Sequence, residues 1–245
     1  MIAGRCAAAL GVLLAALALG AGGPYTARLS PADLRHIRTV AVVSAVGSSF
    51  LFEHVRDTQF EWMGPPDSRF LEISDWGIDA QITRDVTRAL VTRFTVRPIA
   101  FTPANFSSLN DDLLKHASLD LNGDPAIDAY VFVLRDWHWD EIGHSVHDVG
   151  GLGIYRRDRT GGPPRLGVFA CYRIVVVDAL TGDIIASRAA LLRDGDLPWI
   201  AVDASLWPKT PNDLNDVEKA TLATDESRLV DETLGLTLEK MNLAR

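Results

Sequence analysis

Arg38-Thr-Val-Ala-Val-Val-Ser-Ala-Val46 is the stretch on which the fold turns. It is short and rich in β-branched residues, and its apolar side chains fall at successive positions. A strand of that kind must be buried on both faces, and Gly47-Ser48-Ser49 ends it. Ile127 to Leu134 repeats the pattern. Between the two, Ile78, Ile82, Val86, Leu90 and Phe94 recur every fourth residue, separated by Asp79, Arg84, Asp85 and Arg88. That period predicts an amphipathic helix over 78–94, with Asp75 as its cap. Doubly buried strands alternating with one-faced helices define a layered α/β protein.

Working outward, Phe50 and Phe52, then Phe60 and Trp62, have the two-residue spacing of a hairpin, and Gly64-Pro65-Pro66 follows as a break. Phe94 to Ala100 reads as a strand and Asn110 to Ser118 as a short helix, closed by the turn-rich Leu121 to Pro125. Leu166 to Asp178 and Asp183 to Leu192 form a hairpin about Ala179-Leu-Thr-Gly182, where Gly182 supplies a positive φ. Residues 198–211 are irregular and hold Trp199 and Trp207. Val230, Leu234, Leu238 and Met241 mark a last amphipathic helix, starting as early as Asp213. The expected fold is α/β (or α+β), a single mixed β-sheet with amphipathic helices packed on it. Val40, Val42, Ile127, Val131, Val133, Ile174 and Val176 are expected to line it, packed against Ile78, Ile82, Val86 and Leu90. No repeat or linker divides residues 24–245, which are read as one domain.

The chain opens with one basic residue, Arg5, a 14-residue apolar run from Cys6 to Leu19, and Gly20-Ala21-Gly22-Gly23. Charge, apolar run and small residues in that order are the pattern of a secretory signal peptide, residues 1–23. The run is short for a bilayer span, which takes about 20 apolar residues; an uncleaved anchor is the alternative. The expectation is an exported protein, periplasmic or secreted, with no transmembrane segment after cleavage. The chain has 24 basic and 32 acidic residues, a net charge of −8. An acidic surface disfavours nucleic acid and anionic lipid as main partners. Cys6 leaves with the signal, so Cys171 stands alone within the apolar stretch Val168 to Val177 and reads as a small buried hydrophobe.

The strand Thr39-Val-Ala-Val-Val, the later Ile127-Asp-Ala-Tyr-Val-Phe-Val and the hairpin Tyr172-Arg-Ile-Val-Val-Val-Asp-Ala-Leu-Thr-Gly-Asp-Ile-Ile-Ala-Ser187 resemble exported envelope accessory proteins. These are the curli-secretion lipoproteins and the amino-terminal domain of the Tol-Pal β-propeller protein. The resemblance spans roughly Arg38 to Leu192, and it implies a non-catalytic interaction module with an envelope protein as partner. Cys6 precedes the apolar run instead of following it, so the lipobox of the curli type is missing.

The densest polar cluster is Asp136-Trp-His-Trp-Asp-Glu-Ile-Gly-His-Ser-Val-His-Asp148. If strand geometry continues past Leu134, Asp136, His138 and Asp140 share one face and Trp137 and Trp139 the other. Imidazole with carboxylate suits a divalent transition ion, so His138, His144, His147, Asp136 and Asp140 are the candidate metal ligands. His-Glu-x-x-His is absent, and a solvated strand end explains the same residues. Gly150-Gly-Leu-Gly153 lacks the spacing of a phosphate loop. With the following 156–165 it reads as a flexible excursion, in which Arg156, Arg157 and Arg165 are candidate partner contacts. Ser145 lies between His144 and His147 but lacks the second glycine of a nucleophile elbow. Ser48 and Ser49 follow a buried strand, where α/β enzymes place active residues, and turn formation explains them as well. The sequence therefore favours a non-catalytic binding or assembly component of a bacterial cell envelope, with no cofactor. The alternative is a divalent-metal-binding protein or metal-dependent hydrolase using the 136–148 cluster.

Overall fold

The computed structural model describes residues 27–56, 66–106, 109–121, 125–143, 147–159 and 161–244. The expected signal peptide, the expected hairpin arm at Phe60 and Trp62, and His144 and Ser145 lie outside them. Among the described residues, ten strands form one mixed, curled sheet: β1 Thr39–Ala45, β2 Ser49–Val55, β3 Asp67–Glu72, β4 Thr95–Val96, β5 Ala129–Arg135, β6 Trp137–Trp139, β7 Asp148–Arg159, β8 Gly162–Asp178, β9 Ile184–Ala189 and β10 Trp199–Ala201. The helices are α1 Asp33–His36, α2 Ile78–Leu90, α3 Asp111–Asp120 and α4 Asp216–Lys240. The α/β reading holds.

The register gives the sheet a simple plan. The 17-residue β8 is its spine. Its first half pairs with β7 and its second half with β5, while β10 and β9 pair along it in turn. Beyond that, β1 runs parallel to β5 and β2 parallel to β7. The outer lines therefore break together, at 46–48 between β1 and β2 and, from Asp136 on, between β5 and β7. The β6 segment is part of the second break, an excursion that pairs back onto β7.

The side chains divide by face accordingly. One face is covered along both halves by α2 and α4: Val40, Val42, Val131, Val133, Ile174 and Val176 pack with Ile78, Ile82, Val86, Leu90, Leu229 and Leu234. Burying each such side chain contributes about 1.5–3 kcal/mol. Of the residues expected in this layer, Ile127 alone sits elsewhere. The opposite face carries two smaller clusters. Ala41, Val43, Tyr130, Phe132, Leu134, Val175 and Val177 meet Leu114 of α3 and Phe106. Leu51, Val55, Tyr155, Phe169 and Cys171 meet Ile142 and Leu197.

Several boundaries differ from expectation. The 78–94 helix stops at Leu90, and the strand expected over 94–100 shrinks to two residues. Asp75 does not cap α2; it lies in a 3-10 turn, and Gly77 holds the N-cap position at φ 71. The second arm pairing with β2 is β3. Residues 156–165 are not a flexible excursion. They close a β-hairpin in which Arg156 faces Leu166 and Arg157 faces Arg165, with Gly161 at φ 77 at the tip. Gly182 does take positive φ, at 71.

Candidate functional site

A cleft of about 760 Å³ opens on the face that α2 and α4 leave uncovered, where the two smaller clusters part. Phe106 and Leu134 of one cluster and Leu51 of the other form its apolar walls. Arg173 marks the gap between the clusters, because along that face of β8 it stands between Cys171 and Val175. A charged side chain at that position cannot join either core. It pairs instead with Asp111 in the first turn of α3, 2.8 Å away, and Asn110 caps that helix by accepting from Leu113 N at 2.9 Å.

Arg135 builds the opposite side. Its Nε donates to Val46 O at 3.0 Å, and Nη2 donates to Ser48 Oγ at 3.1 Å and Ser49 O at 3.0 Å. One guanidinium thus fastens the break between β1 and β2. Burial lowers the Arg135 pKa, and Asp79 and Glu72 counter it. Asp79 holds the same break from beneath: Oδ1 accepts from Ser44 Oγ at 2.6 Å and Val46 N at 2.9 Å, and Oδ2 accepts from Gly47 N at 3.1 Å.

Two aromatic residues stand exposed in the cleft lining, Phe70 on β3 at 61% and Trp137 on β6 at 62%. Trp137 is opposite Gly150. A Cβ on Gly150 would overlap the six-membered ring of the indole, so the ring lies directly against the glycine backbone. Trp139, 57% exposed, is two residues on and shares the face, as strand alternation requires.

The candidate metal ligands do not all converge. His138 Nε2 and Asp136 Oδ2 are 3.3 Å apart. Asp140 is buried elsewhere, where Oδ2 accepts from Tyr155 O–H and Oδ1 from Gly143 N, each at 2.6 Å. The His147 carbonyl accepts from Asp140 N at 3.0 Å. Among the described residues, no three His, Cys, Asp or Glu side chains are grouped to hold a metal ion. The three arginines have local partners. Arg157 Nη1 donates to Gly143 O and Arg165 Nη1 to Ile142 O, so both fasten the turn after β6. Arg156 donates to Asp158 at 3.0 Å and lies over the Trp207 ring.

Sequence reading missed the buried acids. Glu53 on β2 is almost inaccessible, and among the described residues its Oε1 has no hydrogen-bond partner. Burial, with the Asp140 charge adding to it, pushes its pKa up to about 7. Glu226 of α4, also fully buried, accepts from Gly153 N at 3.0 Å, and burial drives its pKa well up. Burial likewise raises the Cys171 thiol, which fits an inert core residue. A polar residue at a strand's inward position, such as Glu53 between Leu51 and Val55, was the available signal.

No known family model and no curated protein matches this chain, so the curli-secretion and Tol-Pal resemblance rests on the residues quoted for it. Among solved structures, a hypothetical protein from Chlamydia trachomatis is similar at 8% identity and a TM-score of 0.34, covering 83% of this chain and 95% of that one. A DUF330 protein from Xanthomonas campestris is similar at 10% identity and a TM-score of 0.35, covering 89% and 92%. A lipoprotein from Neisseria meningitidis is similar at 11% identity and a TM-score of 0.31, covering 79% and 99%. Among the described residues, no helix is long and apolar enough to cross a membrane.

Proposed function

We propose that this chain is an exported, non-catalytic binding or assembly component of a bacterial cell envelope, and that the cleft between the two smaller clusters is its capture site. The N-terminal order of charge, apolar run and small residues supports export, and the net charge of −8 argues against nucleic acid and anionic lipid. The observation that carries the reading is the exposed aromatic pair Phe70 and Trp137 in one concave, mixed-polarity cleft. Aromatic side chains left in water around a cleft mark binding surfaces, because their burial on contact supplies affinity with few ordered torsions.

The test is photocrosslinking in the native envelope, with a benzophenone amino acid replacing Phe70 or Trp137 one at a time. Adducts at these positions and none at Leu180, exposed and outside the cleft lining, are expected. Adducts equally at all three or at none would overturn the reading.

The 3.3 Å approach of Asp136 to His138 favours a second reading, a divalent-metal protein or metal-dependent hydrolase. Elemental analysis of the purified protein separates the two. Stoichiometric metal that disappears in His138→Ala would replace the first reading by the second.

A further inference from the structure

From the cleft's chemistry, and resting on the capture-site reading above, we infer that its ligand is a neutral saccharide chain of the envelope, with Trp137 and Trp139 as stacking platforms for adjacent sugar rings. The platform is fixed before any ligand arrives. The Trp137 indole is backed by Gly150, where a side chain would collide with it, and the residue still exposes 62% of its surface. A ring held flat on backbone with its other side open presents a rigid apolar plate, which is what the C–H face of a pyranose packs against. Trp139, just outside the cleft lining, repeats the exposure two residues along the same face of β6. Side chains two apart on a strand stand about 6.5–7 Å from one another. That spacing suits successive rings of an oligosaccharide better than one isolated planar ligand.

The polar side of the cleft selects among ligands of that shape. Asn110, Asp111, Asp136 and Arg173 line it, offering both donors and acceptors to hydroxyl groups. An anionic ligand finds little counter-charge. The Arg173 guanidinium is engaged by Asp111, and that of Arg135 by Val46, Ser48 and Ser49. The lining carries three carboxylates, Asp111, Asp112 and Asp136, against those two guanidinium groups, which also disfavours phosphate and acidic polysaccharide. A neutral polyhydroxylated chain meets both requirements, an apolar face for the plates and hydroxyls for the carboxylate and amide edge.

The test is titration calorimetry on the protein purified from its native envelope. The probes are tetrasaccharides of β-1,4-linked N-acetylglucosamine, of glucose and of galactose. Saturable binding of at least one probe is expected, accompanied by a change in tryptophan fluorescence. Trp137→Ala should weaken it by about tenfold, the size of one aromatic stacking contact. Because Trp137 is exposed, this variant should keep the wild-type unfolding midpoint. Gly150→Val, which displaces the plate while leaving the indole present, should weaken binding as well; if it fails to fold, Trp139→Ala decides the same point. No binding of any probe, or binding that Trp137→Ala leaves unchanged, overturns the inference. If no saccharide binds but benzophenone at Trp137 still captures an envelope protein, the saccharide claim falls and the capture-site reading stands. If neither occurs, both fall.

Discussion

Tyr155 donates its phenolic O–H to Asp140 at 2.6 Å, and neither side chain reaches water. The same carboxylate accepts from Gly143 N, so it joins strand β7 to the turn that follows β6. Hydrogen bonds to a buried charged acceptor contribute about 1.5–3 kcal/mol. Tyr155→Phe should lower stability by that amount and shift the urea midpoint without changing the slope. Asp140→Ala should cost more, because it strands two buried donors. A Tyr155→Phe midpoint equal to the wild type would show that the bond contributes nothing net.

Glu53 makes stability depend on pH in a direction its environment fixes. Its pKa rises from 4.5 to about 7 on folding, through burial first and the Asp140 charge second. The folded state therefore holds the proton more tightly than the unfolded chain. This contribution is complete below pH 4.5 and is lost as pH rises to about 7, a change of roughly 3 kcal/mol. Glu53→Gln should flatten that part of the profile and exceed the wild type in stability at pH 8. Urea unfolding of both proteins at pH 5, 6, 7 and 8 checks it, and identical slopes would refute it.

Val131 lies at the centre of the face packed by α2 and α4, fully buried. Val131→Asp should abolish folding, since an unpaired buried carboxylate adds to the lost apolar burial. Far-ultraviolet circular dichroism and the yield of soluble protein would show it.

Arg157→Ala and Arg165→Ala test what these two residues do. Each now donates to a carbonyl of the 142–143 turn. Each change should lower stability by about 0.5–1.5 kcal/mol while leaving the fold intact. Wild-type stability in both, with impaired capture in the envelope crosslinking assay, would return them to a contact role.

Asp79→Ala removes the acceptor that holds Ser44, Val46 and Gly47. A loss of about 1–3 kcal/mol is expected, with amide hydrogen exchange rising first across 44–49. Uniform exchange across the sheet would count against this local role.

The elements legible in the sequence are those whose signal is local. The four-residue period of Ile78 to Leu90, the apolar run of β5 and the Gly182 turn each announce themselves within a few residues. Pairings between distant segments do not. Nothing near Phe50 says that β2 will lie beside Leu152, about a hundred residues on. The cleft depends on that register and so was invisible, although its two arginines sit in plain view as charges in apolar strands. Residues 156–165 misled because Gly161, Gly162, Pro163 and Pro164 suggest irregular chain. Here the prolines fall near the start of β8, a position a sheet tolerates. Trp137 and Trp139 were correctly placed on a shared face, since strand alternation alone decides that.

β8 belongs to all three apolar clusters. Ile174 and Val176 face the helices, Val175 and Val177 the second cluster, and Phe169 and Cys171 the third. A strand held in this way couples the three clusters, so the two halves of the sheet are expected to melt together. The cleft lies where the outer lines are broken, but β8, which contributes Arg173 to it, runs unbroken past both halves and ties them together. Whatever enters meets a preformed groove and not a closing jaw.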